Sequence, residues 1–308
     1  MNSSSFFAKI LLFGEYGIIK NFKGISIPFN LYSGSLDIDK SLNEKIKSSN
    51  EQIKSFYDYL KLKFDNDEFN FKTFKSDIDD GLYFKSSIPI GYGVGSSGAL
   101  VASVYDNYSL KKIKIEKKID AQKIITLKNI FSKMESFFHG ESSGLDPVNS
   151  YLSSPILIKS KKEVEIISIP NQIKNGNQGF FLIDTRKSSN TRILVDKFLE
   201  SMKDNEFEKL FKNEFVEFSN LCIDDFLDSN FNSLQKNIKK LSKFTYDNFK
   251  AMIPEQFDSI WSNGLKTDDY FLKLCGSGGG GFILGFSLDL VKSKEILKDY
   301  NFEVVLSY

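Results

Sequence analysis

At 308 residues the chain is too long for one compact core, so about two domains of ordinary size are expected. Its 41% hydrophobic and 26% charged residues place it among soluble globular proteins and exclude a disordered chain or a membrane protein. Lys plus Arg number 41 against 40 Asp plus Glu, which excludes a general nucleic-acid binder and leaves any anionic ligand to a local site.

The opening MNSSSFFAKILLFGEY has a short apolar run, interrupted by Lys9 and closed by Glu15, which is too little for a signal peptide. No apolar stretch approaches the roughly 20 residues of a membrane span. Residues 6–13 and 25–38 read as strands, with Gly14, Gly17 and Gly24 as turn signals between them. From Glu44 to Leu62 the stripe Ile46, Ile53, Phe56, Tyr57 and Leu60 predicts a helix. Strands are expected at 69–74 and 81–88, then a glycine loop at 91–98 that runs into an Ala/Val-rich helix from 96 to about 109. A helix over 121–139 follows, carried by Ile124, Leu127, Phe131, Met134 and Phe138, and the loop GESSGLDP ends it.

Beyond Asn149, strands are expected at 155–159, 163–169 and 179–184, and helices at 190–202, 205–221, 231–248 and 255–265. A second glycine loop, 276–281, leads into the strand FILGF and a final helix–strand pair. Strands and helices mix in both halves, which argues an α+β protein of two layered domains. The pattern breaks at PNQIKNGNQG, residues 170–179, so the domains are taken as 1–175 and 176–308. Cys222 and Cys275 form neither a disulfide framework nor a zinc pattern and fit a reducing compartment. The expectation is a soluble, cytoplasmic protein.

Three stretches carry chemistry. In PIGYGVGSSGALVAS, Gly91, Gly93 and Gly95 remove side chains where backbone must wrap a ligand, and Ser96 and Ser97 open a helix whose N–H groups suit a phosphate. Gly93, Gly95 and Gly98 also satisfy the dinucleotide pattern G-x-G-x-x-G, but the acidic residue at a suitable distance, Glu116, lies in a lysine-rich run instead of at a buried strand. The Walker pattern fails because no lysine follows the glycines. A tight turn before a serine-capped helix is the bland alternative. In the second stretch, Glu135 on a helix and Asp146 after Ser142-Ser143-Gly144 could divide the work between metal and attacking hydroxyl; read singly, they are a solvated helix residue and a turn former before Pro147. Lys9 shares a strand face with Phe7, Leu11 and Phe13, so it needs an anion or must snorkel from an edge. His139 is the only histidine and reads as a satisfied helix-end residue, with a Ser-His-Asp hydrolase as the alternative. The third stretch, CGSGGGGF at 275–282, is a glycine run between apolar elements that suits close approach of backbone to a ligand or another loop, or else a hinge.

In this order and at this separation the stretches resemble the three motifs of the GHMP kinases, most of all the mevalonate kinases. KILLFGEYGII at 9–19 resembles their lysine, apolar run and Gly-Glu-His. PIGYGVGSSGA resembles the phosphate loop P-x-G-x-G-L-G-S-S-A, and KLCGSGGGGF at 273–282 the third, glycine-rich motif. ESFFHGESSGLDP at 135–147 and DTRKSSNTRILV at 184–195 are similar to two further segments of the same kinases, so the likeness covers residues 9 to about 286.

The resemblance implies an N-terminal domain like that of ribosomal protein S5 and a ferredoxin-like C-terminal domain, with the site in the cleft. It implies Asp146 as the catalytic carboxylate, Lys9 as its partner, and Glu135 with Ser97 or Ser96 as holders of Mg²⁺. The ATP phosphates would be wrapped by Gly91, Gly93, Val94, Gly95, Ser96, Ser97 and Gly98. Gly276, Ser277, Gly278 and Gly279 would support them, with Thr191 near the reacting phosphoryl group. ATP and Mg²⁺ are thus the implied cofactors and a small alcohol, mevalonate or a similar one, the substrate; a homodimer is allowed, and neither nucleic acid nor membrane is involved. Three departures are present: Tyr16 stands for His, Val94 for Leu and Gly98 for Ala. The first lies near the acceptor, so phosphomevalonate, homoserine and sugar kinases, and a non-catalytic relative, stay open as alternatives.

Overall fold

A computed structural model describes residues 4–41, 43–115 and 119–308; Glu116 lies outside the described residues. Strand β1 (Phe6–Phe13) pairs antiparallel with the long β2 (Gly24–Ile38), setting Lys9 opposite Pro28. Helices α1 (Glu44–Lys61) and α2 (Phe71–Asp79) precede β3 (Leu82–Ser86), which pairs with the far end of β2. Then come α3 (Ser96–Tyr108), α4 (Ala121–His139), α5 (Leu145–Leu152), β4 (Ile156–Ser160) and β5 (Glu163–Ile166). β4 joins the near end of β2 and β5 joins β4, which completes a five-stranded antiparallel sheet. Helix α3 is buried almost throughout because its small Ala, Val and Ser side chains let it lie against β1, β2 and α5 at once.

The second half builds a separate four-stranded antiparallel sheet in the order β7-β8-β6-β9. Its strands are β6 (Gly179–Asp184), β7 (Phe271–Leu274), β8 (Phe282–Ser287) and β9 (Phe302–Ser307). The helices are α6 (Thr191–Ser201), α7 (Asn205–Leu210), α8 (Glu217–Leu227), α9 (Phe231–Asn248), α10 (Asp258–Thr267) and α11 (Leu290–Ile296). The fold is α+β. The end of β1 meets this second sheet where Phe13 packs edge-on against Phe180, ring centroids 5.9 Å apart. Among the described residues no helix is long and apolar enough to cross a membrane.

The structure corrects three local expectations. Residues 71–79 are helical, not a strand: Asn70 caps the turn by accepting from the Thr73 N–H (3.1 Å), and Phe71, Phe74 and Ile78 bury one helical face. The stretch after Gly144, expected as loop, forms α5, because Pro147 falls in the first turn where no N–H is needed. The helix expected over 205–221 is interrupted by a π-helical segment, Phe211–Val216.

Candidate active site

The glycine loop arrives at α3 with Gly95 in left-handed backbone (φ +79°) and no side chain capping the helix, so the first-turn N–H groups are free to face an anion. Two glycines there are dictated by the site. A Cβ on Gly95 would stand 2.9 Å from Lys9 Cγ, and one on Gly98 would stand 2.8 Å from the Asp146 carbonyl carbon. The Lys9 N–H donates to the Val94 carbonyl (2.9 Å), fixing β1 to the loop by main chain alone. The Val94 side chain lies in the core, so only its backbone can face a ligand.

Lys9, 6% exposed, places Nζ 3.1 Å from Asp146 Oδ1 in the first turn of α5. Asp146 is more open, its side chain 37% exposed. Burial works against a charged lysine, but the attraction of Asp146, helped by Cys275 and Glu135, outweighs it and raises the Lys9 pKa above its ordinary value. The lysine therefore stays charged beneath a carboxylate that looks out of the site.

Glu135 is 3% exposed on α4. The Ser97 hydroxyl donates to its Oε1 (3.2 Å) and the Ser142 hydroxyl to its Oε2. Of the two loop serines it is therefore Ser97 that meets the glutamate. Burial, and then the negative charge of Asp146, push the Glu135 pKa up to about 8 against the pull of Ser142, Lys9 and Ser97. A buried carboxylate short of positive charge, beside a hydroxyl and facing a free helix N-terminus, fits a hard divalent cation that brings its own phosphate ligands. His139 Nε2 lies 3.1 Å from the same Ser97 hydroxyl. Burial depresses its pKa, as does Lys9, while Asp146 opposes the shift.

The second glycine loop packs on the first. A Cβ on Gly93 would stand 2.9 Å from the Cys275 carbonyl oxygen, and Gly281 lies against the Tyr92 backbone. Ser277 Oγ donates to Thr191 Oγ1 (3.3 Å), and the Ser189 N–H to the Gly91 carbonyl (2.9 Å), so the segment before α6 closes against both loops. The structure thus brings Lys9, Gly91–Gly98, Glu135, Asp146, Thr191 and Gly276–Gly279 into one neighbourhood.

Sequence reasoning does not reach the contacts of four residues, one of which, Tyr16, it singles out only as a departure near the acceptor. Glu15 and Lys273 form a buried ion pair between the first and third motifs, and the Tyr16 hydroxyl donates to the Ser277 carbonyl (2.6 Å). Ser142 was read only as a small turn residue. The available signal was a lone charge in each of two apolar runs, FGEYG and FLKLC, since a buried charge needs a partner.

No family model matches the chain, and no curated protein matches it by sequence. Solved structures do match in fold. Mevalonate kinase of L. major, in complex with R-mevalonate, superposes with a TM-score of 0.64 at 13% identity, covering 100% of this chain and 97% of that one. The Methanococcus jannaschii mevalonate kinase gives 0.59 at 20% identity, over 97% and 96%. The Streptococcus pneumoniae phosphomevalonate kinase, in complex with phosphomevalonate and AMPPNP, gives 0.65 at 13% identity, over 97% and 95%. Lactococcus lactis galactokinase, complexed with galactose, also matches, at 0.61 and 14% identity. The chain has the two-domain fold of the GHMP kinases.

Proposed function

We propose that this protein is a small-molecule kinase, with residues 1–175 and 176–308 as its domains, that uses ATP and Mg²⁺ to phosphorylate the primary hydroxyl of mevalonate. The observation that carries the reading is the convergence of Lys9, Ser97, Glu135 and Asp146 at the uncapped start of α3. Phosphoryl transfer needs little covalent help from the protein, so positioning and charge neutralisation do most of the catalysis. The first-turn N–H groups and the glycine backbone hold the phosphates. Ser97 and Glu135 are the residues that would hold Mg²⁺, which when bound neutralises phosphate charge. Asp146, its side chain 37% exposed, orients the acceptor hydroxyl and takes its proton, while Lys9 lowers the charge cost of the developing alkoxide. Thr191 lies near the transferred group, supported by Ser277.

An anionic acceptor has one further support. Arg186 and Arg192 are the only arginines in the chain, and Arg192 stands exposed beside Thr191 in the first turn of α6. A guanidinium there suits a carboxylate better than a neutral sugar. Measuring ADP release with mevalonate, phosphomevalonate, homoserine and sugars tests the reading. Best turnover with another member of the panel replaces the acceptor; ATP binding without turnover on any leaves a binding protein.

The Ser97–His139 distance is also that of a nucleophile and its base, which favours a hydrolase as a second reading. Against it, no carboxylate bonds the other ring nitrogen of His139 among the described residues, and Ser97 is shared with Glu135. An ester-cleavage burst abolished by Ser97→Ala, without ADP release from ATP, would establish it.

A further inference from the structure

Lys273 and Glu15 are 1% and 3% exposed, and their side chains meet 258 positions apart in sequence. Lys273 Nζ also donates to the Leu274 carbonyl (3.1 Å) and lies 5.7 Å from the centre of the Phe13 ring. A buried ion pair is poor evidence for stability, because its desolvation cost offsets most of the attraction and apolar replacements are often neutral or better. Its position is more informative. Glu15 follows the strand that carries Lys9, and Lys273 directly precedes the loop whose Cys275 carbonyl packs on Gly93. The next residue repeats the connection: Tyr16, in left-handed backbone (φ +57°) that disfavours a side chain, donates from its hydroxyl to the Ser277 carbonyl. Its ring is buried against Phe198 (4.6 Å between centroids) and Phe249 (5.3 Å). Residues 15 and 16 therefore grip residues 273 and 277 at two points, and Ser277 in turn bonds Thr191.

We propose that Glu15 and Lys273 are positioning residues whose ion pair, with the Tyr16–Ser277 bond beside it, holds the third loop in register with Lys9 and the phosphate loop. The proposal rests on the kinase reading of the site. It makes Tyr16 a fastener of the cleft and not a contact to the acceptor, since its hydroxyl and ring are both engaged.

The test uses the full chain with the double variant Glu15→Gln/Lys273→Met, which leaves no unpaired buried charge, and separately Tyr16→Phe, which removes one hydroxyl. Hydrogen exchange is read at the Gly279 and Gly281 amides, which donate to Met252 and Lys187. In the double variant these amides are expected to exchange about tenfold faster while those of α3 and α9 keep parental rates. Its kcat is expected to fall about tenfold or more, with the KM for ATP within about threefold, because alignment rather than binding is lost. Tyr16→Phe shifts both readouts in the same direction by about threefold. Parental loop exchange with parental kcat overturns the proposal, and so does acceleration spread evenly over all amides, the mark of a merely structural role. If the double variant fails to fold, Tyr16→Phe decides by the same criteria. If the parent phosphorylates no acceptor, the kinase reading fails and loop exchange alone still decides this one.

Discussion

The two glycine-rich loops look alike in sequence, and apart from where they press on each other, at Gly93 and Gly281, they are limited by different things. In the first, Gly95 and Gly98 are hemmed by Lys9 and Asp146, and the loop ends on a helix start with free N–H groups. In the second, Gly278 is hemmed by the Met252 carbonyl and Leu274, Gly279 by Leu194, and Gly281 by the backbone of Tyr92. Glycine marks a place where backbone must come close to something; the neighbours decide whether that something is a reacting group or another loop. At Gly95 and Gly98 the first loop meets the charged side chains of the candidate site, whereas the second meets backbone and apolar side chains.

The sharpest way to break this contrast is at the charge the first loop borders. Asp146→Asn is expected to lower kcat by about 10²–10⁴-fold while ATP affinity, measured by titration, stays near parental. Parental turnover would remove Asp146 from the reaction and the first loop from its role. Gly95→Ala comes next, since its Cβ meets Lys9 at left-handed φ: kcat is expected to fall about 10²-fold as Lys9 is displaced, read by steady-state kinetics. Gly276→Ala should be much milder. Its Cβ has 3.6 Å to the Gly93 Cα, so the cost is left-handed strain of about 1–2 kcal/mol in thermal unfolding, with little change in kcat.

The smallest effect is a pH dependence that only the first loop's surroundings should show. Glu135 has its pKa raised in the fold to about 8, so it holds its proton more tightly folded than unfolded. Its contribution to stability is present below the ordinary carboxylate range and is lost as pH rises through about 8. In EDTA, the Tm of the parent should therefore decline across this window more than that of Glu135→Gln. Parallel curves would show that Glu135 does not titrate there.

The candidate site was legible in the sequence wherever its parts are local. A glycine loop running into a small-residue helix, or a glutamate and an aspartate flanking a serine-glycine turn, can be read within a dozen residues. The fold's strands and amphipathic helices were legible for the same reason. The failures are of two kinds. FNFKTF at 69–74 alternates like a strand over six residues, and only the Asn70 cap and the apolar spacing out to Ile78 decide for a helix. The Glu15–Lys273 and Tyr16–Ser277 contacts could not be read, because each half is an ordinary residue until the chain's two ends meet. Tyr16 was noticed as a departure near the acceptor; that it points at the third loop instead follows only from the tertiary arrangement.

The separation of Glu15 from Lys273 also sets a timetable. At a synthesis rate of about 5–20 residues per second, the 258 positions between them take roughly 10–50 s to make. Through that interval a nascent chain can already own the first glycine loop, Glu135 and Asp146, yet Glu15 must wait in water with its counter-charge unmade. The proposed site is therefore complete only when β7 and the loop behind it take their places.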